Sequence, residues 1–267
     1  MSGHSKWSQI KRQKGLNDVK KGAVYTKVAK QIVLAARQGG DPSVNFSLRM
    51  AIDKAKAVNM PSDNIEKAIK KGTGEAKDAA TIESMTYEAY GIGGAVFLID
   101  VLTDNRNRSA ADIRMLIEKN GGRMVEAGAI SWQFTVLGLI TLVSETEEEK
   151  EARLHKKWND TTDVRRIPTA QGAIEEFEMR VMDMEGVVDI QSEMHDGLYT
   201  ISMYTVFTEL DAIRKAIEYD PSLVEIIKKA QTDIVLDEAA IEGNTRLLDV
   251  LEENDDVDTV WHNIENI

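Results

Sequence analysis

The spacing of apolar residues changes near residue 77, and this change limits the fold more than any other feature of the sequence. Upstream, apolar side chains recur at helical spacing in three segments, 23–38, 46–59 and 62–71, which glycines and prolines separate. Downstream, short strand-like segments alternate with helical ones, without the regular rhythm of a parallel sheet. The pattern therefore predicts an α+β protein with a helical N-terminal domain.

The downstream part of the chain can be divided into individual elements. Ser109 and Thr208 are predicted to cap helices that end near residues 120 and 218. Further helices are expected at 173–184 and 239–251. Strands are expected at 84–90, 95–102, 129–136, 139–143, near 187–191 and 197–203, within 224–236 and at 257–264.

Charge is divided unequally along the chain. The first 77 residues carry 16 Lys and Arg against 6 Asp and Glu, whereas the remainder carries 17 against 39, and the whole chain has a net charge of −12. This asymmetry indicates that the N-terminal end meets a polyanion. Trp7 and Tyr25 lie among the cations and offer flat surfaces for stacking on bases. The candidate nucleic-acid-binding residues are Lys6, Trp7, Lys11, Arg12, Lys14, Lys20, Lys21, Tyr25, Lys27, Lys30 and Arg37.

The same cations are compatible with two simpler roles. The basic N-terminal segment can be a solvated face, or an arm that docks on the protein's own acidic domains. Arg106 and Arg108, predicted to lie in a loop, are a secondary candidate contact, and ordinary solvation at a helix entry explains them equally well. The sequence contains no zinc finger, ribonucleoprotein signature or basic zipper, so it supports phosphate contact and gives no sign of base-specific readout.

The sequence offers little for catalysis. The four histidines are scattered without metal-ligand spacing, and the absence of cysteine excludes thiolate sites. The glycine-rich segment 91–94 leads into a strand, so it is interpreted as a turn and not as a phosphate loop. We expect a protein that is not an enzyme and has no metal, no cofactor and no small-molecule substrate. The competing hypotheses are carboxylate catalysis by Glu88 or Asp104, and a scaffold that binds only proteins.

The location of the protein is also predicted. No run of about 18 apolar residues is present, so no membrane-spanning segment is expected. The N-terminus lacks the apolar core of a signal peptide, and glycines interrupt any long amphipathic helix there. A cytoplasmic protein is therefore expected.

Several motifs resemble the YebC/PmpR family. They include Gly3-His4-Ser5-Lys6-Trp7, Asn59-Met60-Pro61, Asp63-Asn64-Ile65-Glu66, Leu102-Thr103-Asp104-Asn105 and His262-Asn263. The resemblance covers about residues 1–137 and returns near the C-terminus, whereas 144–175 departs from the pattern and looks like an insertion.

The resemblance implies both a fold and a function. It implies a helical domain (1–77) and an α+β domain (78–137 plus about 237–267). A third α+β domain (138–236) is inserted in the second and contains the extra segment 144–175. It also implies a DNA-binding transcriptional regulator or, alternatively, a ribosome-associated translation factor that contacts RNA. The expected partners are DNA or ribosomal RNA, together with the ribosome in the second case, and the basic positions of the first domain are the expected binding surface.

Overall fold

Helices and strands follow one another in an α+β arrangement in the computed structural model, which describes residues 18–76, 81–145, 151, 166–167, 171–195 and 197–267. The predicted fold class is therefore confirmed. The chain divides into two compact units, one formed by Met1–Thr135 with Lys229–Ile267 and the other by Val136–Lys228. The three-domain boundaries stay a prediction. Within the described ranges, no helix combines the length and apolar character needed to cross a bilayer.

The regular elements have the following bounds. The helices are α1 (Asp18–Ala36), α2 (Phe46–Ala57), α3 (Ser62–Gly72), α4 (Arg106–Lys119), α5 (Gln171–Met182), α6 (Leu210–Ala216) and α7 (Glu238–Glu252). The strands are β1 (Glu83–Tyr90), β2 (Val96–Thr103), β3 (Arg123–Val125), β4 (Phe134–Val143), β5 (Val187–His195), β6 (Leu198–Val206), β7 (Leu223–Ala230) and β8 (Val257–His262).

The apolar stripes of α1, α2 and α3 meet in one core. Its buried members include Val28, Ile32, Val33, Leu48, Ile52, Ala55, Ile65 and Ala68, and two residues beside or within the first sheet, Ile82 and Leu102, join them. The buried side chain of Asn45 fixes the connection between α1 and α2. Its Oδ1 accepts the Leu48 N–H at 3.0 Å, while its Nδ2 donates to the carbonyls of Ala35 and Gly39 at 2.8 Å. One amide thus caps α2 and satisfies the end of α1.

The first sheet has the strand order β3-β1-β2-β8 and is antiparallel throughout. Strand β2 is one of its two inner strands and is buried along nearly its whole length. On one face, Phe97, Ile99 and Val101 share a core with residues of α4 and α7, among them Ile113 and Leu247. Because β8 follows α7 directly and pairs with β2, the C-terminal end of the chain becomes part of the same unit as the N-terminal helices.

The second sheet has the strand order β5-β6-β4-β7. Strands β4 and β6 are antiparallel, with Ile140 opposite Met203 and Leu142 opposite Ile201, and all four side chains are buried. Gly138 allows a close approach on this sheet, because a Cβ there would lie 2.8 Å from a methyl carbon of Leu210. The core of this unit therefore requires glycine at this position.

Three local predictions were wrong. Helix α4 begins at Arg106, because Asn105 accepts the Arg108 N–H at 3.1 Å, so Ser109 lies inside the helix and does not cap it. Thr208 lies within a 3₁₀ turn that precedes α6 and provides no side-chain cap. Of the strand predicted at 129–136, residues 129–133 form a loop and a 3₁₀ turn, whereas the last three residues begin β4, which continues without a break through the strand predicted at 139–143.

The packing of α3 on α1 leads to a prediction for two glycines. A Cβ at Gly72 would lie 2.5 Å from the Val33 carbonyl oxygen and 2.6 Å from the Ala36 Cβ, whereas a Cβ at Gly22 meets no described atom within 4 Å. Gly72→Ala should therefore destabilise the protein by about 1–3 kcal/mol through overpacking. Gly22→Ala, also within a helix, should stabilise it by about 0.5–1 kcal/mol through helix propensity. Urea unfolding of both variants tests this, and a stabilised Gly72→Ala would contradict the close approach.

Candidate nucleic-acid interface

The sequence-predicted binding residues fall into three groups in the structure. Lys6, Trp7, Lys11, Arg12 and Lys14 lie outside the described residues. Lys20 and Lys21 belong to the beginning of α1. Tyr25, Lys27, Lys30 and Arg37 are described with their surroundings, and they occupy three different environments.

Two of the predicted cations, Lys27 and Lys30, contact the C-terminal part of the chain. The Lys27 ammonium donates to the Glu252 carbonyl oxygen. The Lys30 ammonium donates to the Asp255 carbonyl at 2.9 Å and to the Asp256 carboxylate at 2.6 Å. Both cations therefore hold α1 against the segment between α7 and β8, and a phosphate could bind them only by displacing these contacts.

Asp256 is the centre of this contact. Its carboxylate accepts hydrogen bonds from Lys30 at 2.6 Å, from the Ser109 hydroxyl at 2.6 Å and from the Arg108 guanidinium at 3.1 Å. The Thr103 hydroxyl lies 3.2 Å from the same carboxylate and 2.8 Å from the Ser109 hydroxyl. The side chains of Lys30 and Asp256 are only 16% and 11% exposed. This cluster joins α1, the end of β2, α4 and the residue before β8.

The protonation of two groups reflects this burial. Burial alone would raise the pKa of Asp256, but the hydrogen bonds from Lys30, Ser109 and Arg108 outweigh it and lower the pKa to about 2. Burial lowers the pKa of Lys27, against the opposing effect of Asp258 and Glu252 nearby. The carboxylate of Asp256 is thus ionised in the folded protein at neutral pH.

The structure also gives the positions of Tyr25 and of the two secondary candidates, Arg106 and Arg108. The Tyr25 hydroxyl donates to the Asn59 carbonyl at 2.8 Å, and the ring packs against the helical core. Arg106 and Arg108 occupy the first turn of α4, so their predicted position in a loop was wrong. Arg108 bridges Asp104 and Asp256, which raises its pKa, whereas Arg106 is mostly exposed and lies 3.5 Å from Glu83.

A different set of cations remains available in the helical part of the chain. Six cations in this part of the chain have side chains that make no hydrogen bond or ion pair with the described residues. They are Arg37, Lys54, Lys56, Lys67, Lys70 and Lys71. A Cβ at Gly72 would meet that of Ala36, and one at Gly40 would lie 2.8 Å from Thr73. The C-terminal end of α1, which Arg37 follows directly, therefore lies against the end of α3 that carries Lys70 and Lys71. Two carboxylates, those of Glu66 and Glu75, are close in sequence to these lysines and moderate the local positive charge.

The carboxylates considered for catalysis have structural roles. Glu88 is buried, and its oxygens accept the backbone N–H groups of Gly128, Ile130 and Ser131. Burial opposes its ionisation, yet these hydrogen bonds lower its pKa. Asp104 pairs with Arg108 at 2.8 Å. Glu88 thus fixes the loop that precedes β4, and Asp104 supports the start of α4.

Sequence reasoning missed Asp256. The sequence feature that could have indicated this residue is the acidic run Glu252-Glu253-Asn254-Asp255-Asp256-Val257-Asp258, which has five carboxylates in seven positions. A run of this kind usually marks a solvated surface. Only the fold shows that it lies against the basic helix α1.

A basic helical segment joined to two four-stranded sheets defines the class, an α+β protein of two compact units with a cationic N-terminal part. The chain belongs to the TACO1/YebC family: the family model of the N-terminal domain matches residues 5–75, and that of the second and third domains matches residues 82–264. The predicted family is therefore confirmed.

Two relatives and one solved structure illustrate the similarity. A probable transcriptional regulatory protein of Brachyspira hyodysenteriae is 40% identical over 267 residues, covering 99% of this chain and 97% of the relative. One from Trichodesmium erythraeum is 37% identical over 270 residues, covering 99% and 96%. The crystal structure of a conserved hypothetical protein from Aquifex aeolicus shares 30% identity at a TM-score of 0.71, covering 93% of this chain and 91% of that one.

The Asp256 cluster predicts a pH-dependent stability. Because the pKa in the folded protein, about 2, lies below the ordinary value of 3.8, ionised Asp256 stabilises the fold above pH 4. This contribution, roughly 2 kcal/mol, should be lost as the pH falls from about 4 to 2. Asp256→Asn should cost roughly 3 kcal/mol at pH 7, because it leaves Lys30 partly buried without its counter-charge.

Urea unfolding at several pH values measures this effect. Asp255→Asn is the matched control, since the Asp255 side chain is exposed and makes no hydrogen bond within the described ranges. The difference between wild type and Asp256→Asn should shrink towards pH 2, while the control stays near wild type throughout. A cost for Asp256→Asn that is independent of pH would contradict the ionised cluster.

Proposed function

We propose that the protein is a regulator, not an enzyme, that binds nucleic acid through the basic residues of its N-terminal helical segment and acts as a DNA-binding transcriptional regulator in the cytoplasm. The observation that carries this proposal is the separation of charge. Sixteen bases against six acids lie in the first 77 residues of a protein whose net charge is −12. The name of the relatives, probable transcriptional regulatory protein, supports the same function.

The proposed contact is made to the phosphate backbone. Each Lys or Arg that engages a phosphate releases condensed counterions, which favours binding without regard to base sequence. The proposed contact residues are Lys6, Trp7, Lys11, Arg12, Lys14, Lys20, Lys21 and Arg37. We add Lys70 and Lys71, because the end of α3 lies against the C-terminal end of α1, which Arg37 follows directly. Lys27 and Lys30 are assigned to the contact with the C-terminal segment instead.

The structural use of the two candidate carboxylates supports a protein without catalytic activity. A general base must reach the proton that it removes. Glu88 is buried and binds three backbone N–H groups, and Asp104 is paired with Arg108. Glu88 thus stabilises a loop and Asp104 stabilises the start of a helix, so both carboxylates have a structural role.

A ribosome-associated translation factor that contacts RNA is the second candidate. The observation in its favour is the acidity of the remainder of the chain, which carries 39 Asp and Glu against 17 Lys and Arg. Such a surface repels a second nucleic-acid strand and suits basic protein partners. Co-sedimentation with ribosomes in sucrose gradients at low salt distinguishes the two candidates. Absence from ribosomal fractions, together with retardation of duplex DNA, favours the transcriptional regulator.

Lys11→Ala combined with Arg12→Ala tests phosphate contact. If both residues engage phosphates, affinity should fall about equally for all sequences, and the slope of log K against log salt should flatten by about 2. Fluorescence anisotropy with labelled DNA and RNA across a salt series provides the measurement. Arg114→Ala with Lys119→Ala, two exposed cations of α4, removes the same charge elsewhere and should change the slope little. Unchanged affinity for the Lys11 and Arg12 variant would remove these residues from the interface.

Trp7→Ala tests stacking separately from charge. Because the bases of a single strand expose their faces and those of a duplex are already stacked, the substitution should weaken single-stranded binding more than duplex binding. The ratio of the two dissociation constants is the quantity to measure. An equal loss for both nucleic acids would argue against stacking by Trp7.

A further inference from the structure

The acidic run 252–258, here called the acidic turn, lies directly against the cationic side of α1. It contributes the Glu252 and Asp255 carbonyls and the Asp256 carboxylate to Lys27 and Lys30. One residue further along α1, Gln31 donates its side-chain amide to the Asp258 carboxylate. The turn thus follows α1 over more than one helical turn and presents oxygen atoms to each of these polar side chains.

This arrangement matches what a phosphate backbone would offer. A nucleic acid presents a row of anionic oxygens to Lys and Arg side chains, and the acidic turn presents carboxylate and carbonyl oxygens to the same kind of side chain. Lys27 is affected by the charges of Asp258, Glu252 and Asp255 together. The anionic character of the turn therefore reaches beyond the single ion pair of Lys30 with Asp256.

We propose that the acidic turn is an internal competitor of nucleic acid, which occupies the cations in the middle of α1 and repels phosphate from the neighbouring cations, so that it limits the affinity of the protein for a phosphate backbone. This inference rests on the proposed function. It assigns the turn a role in binding in addition to its role in stability. The occupied part of α1 is followed by Arg37, whose side chain makes no hydrogen bond or ion pair within the described residues.

Different carboxylates of the acidic turn serve stability and affect binding. Asp256 is buried and holds the fold together. Glu253 and Asp255 are exposed, and within the described part of the chain their side chains make no hydrogen bond or ion pair. Their charges act on binding only through space. Glu253 and Asp255 can therefore be neutralised without breaking the contact between α1 and the C-terminal segment.

Glu253→Gln combined with Asp255→Asn tests the proposal. Removing these two negative charges should weaken the repulsion of phosphate and lower the dissociation constant for a generic 20-nucleotide RNA or a 20-base-pair DNA about fourfold at 50 mM salt. The gain should shrink at 300 mM salt because the repulsion is screened. The control, Glu118→Gln with Glu126→Gln, changes the net charge equally at exposed positions that no described contact joins to α1. The urea midpoint should stay unchanged in both pairs.

Each outcome decides between the hypotheses. A gain in affinity confined to Glu253→Gln with Asp255→Asn supports the internal competitor. An equal gain in the control pair overturns it, because net charge alone would then explain the effect. If the wild type binds with a clear salt dependence and Glu253→Gln with Asp255→Asn binds with the same affinity, the internal competitor is overturned and the proposed function stands. A wild type that shows no salt-dependent binding refutes the proposed function, and the competitor with it.

Discussion

The buried carboxylate of Asp256 is the interaction on which the arrangement of the first unit depends. It binds Lys30 of α1, Ser109 and Arg108 of α4, and the backbone carbonyl of the same residue accepts the Leu102 N–H at 2.8 Å. Removing a carboxylate from water is costly, and three donors offset that cost. The helical segment therefore meets the first sheet through a polar cluster as well as through the apolar contacts of Ile82 and Leu102.

This polar contact explains why the cations of α1 differ from one another. A helical wheel places Lys27, Lys30 and Arg37 on one side of the helix, and the sequence therefore gives all three the same role. In the structure, the first two face the acidic turn and the third lies beyond it, next to the end of α3. Position along the helix, in addition to the side of the helix, determines which cation can meet a ligand.

More of the fold than of the candidate interface could be predicted from the sequence. Apolar spacing located α1, α2 and α3 to within a few residues, because each buries a stripe that local sequence already displays. One error has a local cause: Ser109 was predicted as a helix cap, but Asn105, four residues earlier, accepts the Arg108 N–H and starts α4, so the Ser109 hydroxyl binds Asp256 instead. Another error has a distant cause, because Glu88 on β1 holds the segment before β4 in a loop where a strand was predicted. Periodicity within a short window contains no information about such partners.

The sequence distance between Lys30 and Asp256 also affects the order of events during synthesis. The two residues are 226 positions apart, so the helical segment leaves the ribosome long before its counter-charge exists. Since domains near the N-terminus generally fold first during translation, α1 passes through most of synthesis with Lys27 and Lys30 uncompensated. Lys30 therefore acquires its counter-charge only late in synthesis, when the short segment between α7 and β8 has been made.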